Sequence, residues 1–294
     1  MRIDVILISY NQEQYIAQAV ESVLMQRVKA DVQLRVIVAD DCSKDSTLEI
    51  IKSYEEKSPF PFVYLPTEGN IGHVRNYQRA FAICDGDYVA ILEGDEWWCN
   101  PLHLQMHLDF LDIHRECVLT SQRPVWYFEK ERYFMPTSTS EYHIDDYKYV
   151  TTEEEVMVNV IVNLSSCLIR TDAIRCLDEH IFGCSVLDWP MYVNLSQMGL
   201  LCILSGSSNV YRAKSSGLYA GLDEEAEKKM DEKLITEIEK IFPQYSSYCQ
   251  KARILLYPKP KTKMRKTVER LLSPFVYIVN KCYQIREVYQ EMKL

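Results

Sequence analysis

Apolar positions in the first 120 residues alternate between two spacings. Ile3–Ser9 (IDVILIS) is a near-continuous apolar run of strand length. Tyr15, Ile16, Ala19, Val20, Val23 and Leu24 then recur at helical spacing. Leu34–Asp40 is a second strand pattern. A helix follows, capped by Asp45 or Ser46, with Leu48, Ile51 and Tyr54 on one face. Phe62–Leu65 is a third strand, and Val74, Tyr77, Phe81 and Cys84 mark the buried face of a third helix. Asp87–Leu92 is the fourth strand. This repeated β-α-β order predicts a mainly parallel sheet, because crossover helices cover both faces. Such sheets bind ligands at the carboxyl ends of their strands.

The pattern loosens downstream. Residues 121–150 are rich in Tyr, Glu and Ser and read as loop and irregular strand. A helix is predicted over Glu153–Val162 and a strand over Ser166–Arg170. Asp188 and Pro190 open a further helix that Gly199 closes. Leu200–Ala213 holds another strand pair. Beyond Gly221 the chain is helical and charged, then basic. The predicted organisation is a catalytic-type α/β domain over 1–220, with halves at 1–120 and 121–220, and a helical extension over 221–294.

Composition narrows the class. Apolar residues make up 47% and charged residues 26%, the balance of a soluble globular protein. The net charge of −9 argues against general nucleic-acid binding, which needs a basic footprint. Lys251–Leu294 carries 11 Lys/Arg against 3 Glu, a net of +8, so the first 250 residues carry −17. A basic amphipathic tail can lie on an anionic membrane surface or dock on the body or a partner subunit. None of the ten cysteines forms a C-x-x-C pair, and most read as buried thiols of a reducing compartment. Met1–Val5 enters a strand pattern directly, without a signal-peptide stretch. No run reaches the roughly 18 apolar residues of a membrane span. The expected location is cytoplasmic, including a peripheral position at the inner face of the cell membrane.

The strand ends carry the candidate chemistry. Ser9, Tyr10 and Asn11 follow the first strand, Asp40 and Asp41 the second, and Glu93, Gly94, Asp95 and Glu96 the fourth. Neither G-x-G-x-x-G nor G-x-x-x-x-G-K occurs, which disfavours a dinucleotide site and a P-loop. Acids repel phosphates unless a divalent cation lies between them. Mg²⁺ and Mn²⁺ are typically held by one or two carboxylates plus substrate phosphates. The Glu93-Gly94-Asp95 turn supplies such carboxylates, and glycine there permits a sharp turn. A carboxylate at Asp40 or Asp41 can accept from a nucleobase imide or a ribose hydroxyl. Arg75 offers a forked donor to phosphate or to these acids. Glu96 reads as a supporting or solvated acid, and Trp97 and Trp98 as core anchors.

Four linked segments resemble the family 2 glycosyltransferases, which have the GT-A fold: Ile6–Gln26, Val36–Ile51, Glu68–Pro101 and Leu187–Arg212. The resemblance spans roughly residues 3–215 and implies a nucleotide-sugar donor, a divalent metal (Mn²⁺ or Mg²⁺) and inverting transfer. By that resemblance Ser9, Tyr10 and Asn11 contact the nucleoside, with Glu13 close by, and Asp40 reads the uracil edge. Arg75 helps hold nucleotide and diphosphate. Glu93-Gly94-Asp95 stands for the family's D-x-D, with Asp95 as the metal ligand, and Asp188 stands for the catalytic base. Glutamate at 93 departs from the common aspartate. The implied activity is transfer of a sugar, UDP-linked, to a glycan or lipid-linked glycan acceptor in surface polysaccharide synthesis. Two rivals are a sugar-phosphate nucleotidyltransferase and a non-catalytic glycan-binding scaffold. The first wants a Gly-rich loop after the first strand, where SYNQEQ stands. The second is favoured by loss of Asp95 or Asp188, and both are present.

Overall fold

Strand β1 (Arg2–Ser9), helix α1 (Ile16–Leu24), β2 (Gln33–Asp40), α2 (Thr47–Ser53), β3 (Phe62–Tyr64), α3 (His73–Ala82) and β4 (Tyr88–Glu93) follow the predicted alternation. The computed structural model describes residues 1–136, 146–214 and 223–256. The basic segment beyond Leu256 lies outside them. Strands β3, β2, β1 and β4 lie side by side in that order, all parallel. Then come β5 (Trp97–Trp98), α4 (His103–Ile113), β6 (Cys117–Gln122), β7 (Val125–Phe128), β8 (Tyr133–Pro136), β9 (Tyr147–Val150) and α5 (Thr152–Val158). After these follow β10 (Leu168–Arg170), α6 (Thr171–Arg175), α7 (Asp188–Ser196), β11 (Leu200–Leu204), β12 (Asn209–Ala213), α8 (Glu224–Ile241) and α9 (Ser246–Leu256). Strands β10, β6, β11 and β9 extend the large sheet beyond β4, and β10 runs antiparallel to both its neighbours. A small second sheet has the order β5-β12-β7-β8.

Alternation along each central strand divides the core. Ile3, Val5 and Leu7 join one cluster with Val36, Val38, Ala90 and Leu92, closed by Ile16, Val20 and Val23 of α1 and by Leu104 and Leu108 of α4. Ile6 and Ile8 join the other with Ile37, Ile91, Tyr77 and Phe81, and with Trp189 and Tyr192 of α7. Each such fully buried aliphatic contributes roughly 1.5–3 kcal/mol, so two covered faces explain why the strands read as continuous apolar runs.

Asp4 interrupts the apolar run of β1 and is fully buried. Its carboxylate accepts from Arg35 Nε and Nη2 at 2.9 and 2.7 Å and from the backbone N–H of Asp85 and Gly86. The Arg35 fork and the two amides hold its carboxyl below the usual carboxylate range against the opposing effect of burial. The charge thus ties β1 to β2 and to the turn before β4.

Three expectations need correction. The helix predicted over Glu153–Val162 ends at Val158, because Asn159 turns left-handed at φ 45°. Its start carries a full capping box, Thr151 with Glu154. The strand predicted from Ser166 begins at Leu168. The two strands of Leu200–Ala213 enter different sheets, β11 beside β6 and β12 beside β7. Met1–Ala252 forms one compact unit. Leu234, Ile235 and Ile238 of α8 are buried in the same cluster as Trp189, so this unit runs well past residue 220. Among the described residues no helix is long and apolar enough to cross a membrane.

Candidate active site

Register places the polar strand ends on one rim. Ser9 pairs with Asp40, and Ile8 pairs with Glu93, so β1, β2 and β4 stop together. Ser9 Oγ donates to Asp40 Oδ1 at 2.9 Å, and Ser43 adds its amide and hydroxyl to the same carboxylate. Asp40 is therefore buried beneath the rim as a tie between two loops. Its neighbour Asp41 lines the cleft, with a carboxylate that accepts from the amides of Ile71 and Gly72 at 2.8 and 2.9 Å.

At the end of β1 and just beyond it, Ser9, Tyr10 and Gln12 line the cleft. Asn11 is left-handed at φ 51°, its amide donates to Ser43 Oγ, and its Oδ1 accepts from the Lys44 amide at 2.7 Å. Glu13 accepts from the Ser46 amide at 3.0 Å, at the start of α2. Both side chains brace the second loop. Arg75 is exposed on α3, where its guanidinium donates to Gln78 Oε1 at 2.6 Å, and it is not among the residues lining the cleft.

The turn after β4 is held from beneath. Arg212 of β12 donates from Nε to the Asp95 carbonyl at 2.9 Å and from Nη2 to Gln18 Oε1 at 2.6 Å. Its guanidinium carbon lies 4.7, 4.8 and 5.4 Å from the ring centres of Tyr15, Trp97 and Tyr127. Trp98 is fully buried and donates to the Ser165 carbonyl at 2.7 Å. A Cβ at 94 would stand 2.3 Å from Gln12 Oε1 and 2.7 Å from Ile16 Cδ1, so both side-chain ends must shift, and 3.2 Å from the Ile8 carbonyl oxygen. Gly94→Ala is expected to cost about 1–3 kcal/mol, read as a lower urea midpoint at unchanged slope.

Carboxylates crowd this turn. Glu93 accepts from Tyr77 Oη at 2.6 Å, and burial and the Asp95 charge push its carboxyl above the usual range. Glu96 is buried and accepts from Asn163 Nδ2 at 3.1 Å on each oxygen; burial and its acidic neighbours raise it well above that range. Asp95 accepts from Gln12 Nε2 at 3.1 Å and pairs with Lys214 Nζ at 2.5 Å.

The opposite wall is the segment after α5. Asn159 and Val162 both adopt positive φ, 45° and 54°, the second an unusual strain because valine is β-branched. Glu155 accepts from the amides of Val160 and Ile161 and holds this bend. Asp188 opens α7, where its Oδ1 accepts from the Trp189 amide at 2.8 Å and Asn159 adds a side-chain bond. Burial raises the Asp188 carboxyl to about 6 against those bonds. A cleft of about 1020 Å³ joins Asp41, Glu93, Asp95, Glu96, Asp188 and Lys214.

The spacing of motifs did not point to Gln12, Asn163 or Lys214. Lys214 stands two residues beyond the last of the four matching segments, which ends at Arg212. Gln12 follows the left-handed turn at Asn11, and its backbone amide donates to Thr47 Oγ1 at 2.7 Å. Among the described residues no three His, Cys, Asp or Glu side chains converge as a metal cage. A hard cation nevertheless fits at Asp95. That carboxylate already holds an ammonium, and Gln12 Oε1 beside it is buried without a hydrogen-bond partner in the described structure. An all-oxygen donor set with few protein ligands suits Mg²⁺ or Mn²⁺.

The family model described as glycosyl transferase family 2 matches residues 4–176, and the chain belongs to that family. An uncharacterized protein of Mycobacterium tuberculosis is 28% identical over 218 residues, 73% of this chain and 60% of that protein. The chain thus spans less than two thirds of the length of such relatives. The poly(ribitol-phosphate) β-N-acetylglucosaminyltransferase TarS of Staphylococcus aureus is 32% identical over 120 residues, 40% of this chain and 20% of that protein. The crystal structure of TarS 1–349 with UDP-GlcNAc aligns with a TM-score of 0.60 at 18% identity, covering 84% of this chain and 72% of that one. The mannosyltransferase PcManGT of Pyrobaculum calidifontis, in complex with GDP-Man and Mn²⁺, aligns with a TM-score of 0.66 at 12% identity, covering 98% and 84%. The fold is GT-A-like, as these alignments and the sheet order agree.

Proposed function

We propose that the protein is an inverting glycosyltransferase that moves a sugar from a UDP-linked donor to a glycan or lipid-linked glycan acceptor of a surface polymer. One observation carries the reading: a single cleft at the strand rim holds both Asp95 and, on its far wall, the raised carboxyl of Asp188. UDP as the nucleotide is supported by the TarS structure with UDP-GlcNAc, and a cell-surface polymer acceptor by the name of TarS itself.

In this reading Asp41, Ser9 and Tyr10 line the nucleoside end of the cleft, and Asp95 faces the diphosphate. Asp95 would hold the divalent ion, with Gln12 beside it; bound there, such an ion offsets charge on the departing nucleoside diphosphate. Asp188 accepts the proton of the acceptor hydroxyl as that oxygen bonds to the anomeric carbon. The bond from that carbon to the diphosphate breaks, and attack from the opposite face inverts the anomer. The bend at Asn159–Asn163 orients Asp188 through Asn159 and walls off water.

Thermal melting of the protein with UDP, GDP, dTDP and CMP, each with and without Mn²⁺, tests the reading. UDP with Mn²⁺ at about 100 times its dissociation constant is expected to add roughly 2.7 kcal/mol, a shift of several degrees. Asp95→Asn is expected to abolish the Mn²⁺-dependent part. A folded sample that no nucleotide stabilises would overturn the reading in favour of a non-catalytic scaffold.

A further inference from the structure

Lys214 and Arg212 are both cations of the β12 end beside Asp95, yet they are held differently. Arg212 is locked by three rings, a carbonyl and Gln18. Lys214 reaches Asp95 Oδ2 at 2.5 Å along the edge of the cleft, with Nζ 5.1 Å from the Tyr15 ring centre. Its side chain is 16% exposed and that of Asp95 is 14% exposed, so the pair is mostly out of water. A lysine is a compact charge on a flexible stem and can leave one anion for another without rebuilding its surroundings. The ammonium therefore occupies a donor oxygen that a divalent ion at Asp95 would need.

The surrounding carboxylates favour a resident cation. Glu93 and Glu96 flank Asp95, and Asp188 faces it across the cleft. Burial and the Asp95 charge already raise the Glu93 and Glu96 carboxyls, and a cation at Asp95 offsets that repulsion in a site of low effective dielectric. With the nucleotide absent, a cation at this point lowers that repulsion. A different arrangement is required with it present, when a diphosphate brings further negative charge.

We propose that Lys214 is an internal counter-cation of Asp95, which a divalent ion displaces and which then pairs with the donor's diphosphate. The inference rests on the reading of the cleft as a nucleotide-sugar site. It assigns Lys214 two opposite effects: it opposes metal binding to the nucleotide-free protein, and it supports nucleotide binding once the metal is in place.

Mn²⁺ binding to the nucleotide-free protein, followed by the electron paramagnetic resonance signal of free Mn²⁺, separates these effects. Lys214→Gln is expected to bind Mn²⁺ about tenfold tighter than wild type, the order of one partly screened charge interaction, and Lys214→Arg to stay near wild type. With Mn²⁺ saturating, the same Lys214→Gln protein is expected to bind UDP about tenfold more weakly, by calorimetry. Acetic anhydride labelling of the wild-type protein, read by mass spectrometry, adds a measurement that no substitution can disturb. Labelling of Lys214 is expected to rise several-fold when Mn²⁺ is added and to fall when UDP follows. Unchanged or weaker Mn²⁺ binding by Lys214→Gln, or labelling indifferent to Mn²⁺, overturns the inference. If wild type binds UDP with Mn²⁺ while those results fail, only the role of Lys214 falls. If wild type binds no nucleotide at all, the functional reading falls and the diphosphate half of this inference with it.

Discussion

Asp188→Asn is expected to slow sugar transfer by roughly 10³-fold while leaving UDP affinity within a factor of about two, because a positioned general base contributes about 10²–10⁴. Asp188 stands at the first turn of α7, where helix amides favour a carboxylate, and the Trp189 amide fixes one of its oxygens at 2.8 Å. Burial works against those bonds and wins, raising the carboxyl to about 6. A base poised near neutrality both holds its charge and accepts a proton readily. The sign of the pH dependence follows. As the proposed base, Asp188 works as the carboxylate, so the wild-type rate is expected to rise with pH through about 6 and to level above it. Asparagine keeps the shape and the amide contact but cannot take the proton. Its residual rate loses that dependence. A full rate in Asp188→Asn, measured with a donor that the nucleotide screen identifies, would move the proton acceptor elsewhere in the cleft.

The second large effect is on stability. Arg212→Leu is expected to destabilise the fold by about 3 kcal/mol, from lost cation–π contacts and an unpartnered carbonyl at Asp95. In a unit of this size that lowers the melting temperature by roughly 6–12 °C. Arg212→Lys recovers only part of the loss, since an ammonium cannot bond Asp95, Gln18 and Glu129 from one planar fork. The damage is expected to reach the site. Arg212 holds the backbone of the turn that presents Asp95, so UDP binding weakens along with stability. A melting temperature within about two degrees of wild type would show that the rings of Tyr15, Trp97 and Tyr127 close without the cation.

Local chemistry explains how much of this molecule could be read in advance. The parallel half of the sheet was legible because each of its strands is buried on both faces. Ile3–Ser9, Leu34–Asp40 and Asp87–Leu92 therefore carry continuous apolar runs that polar turns interrupt. The rim was legible for the same reason. Side chains that follow such a run must emerge where the strand ends, which brought Ser9, Asp41, Glu93 and Asp95 to one edge. The start of α7 was legible from Asp188 and Pro190. Small local signals misled at the end of α5, where Asn159 turns the chain left-handed under the pull of Glu155 on two amides ahead.

The sequence by itself determined the β-α-β order, the acidic rim and the family, since each depends on residue type and short-range spacing. Only the tertiary structure decided which rim residues face the cleft. Asp40, Asn11 and Glu13 carry the right chemistry, yet contacts across the first two loops bind them to Ser43, Lys44 and Ser46. Gln12 lines the cleft one residue after the left-handed turn at Asn11. Lys214 and Arg212 reach Asp95 from more than a hundred positions away, because β12 pairs with β5 directly after the acidic turn. No spacing along the chain records that meeting: it is made by strand pairing, and the charge of the turn is balanced only where the two sheets come together.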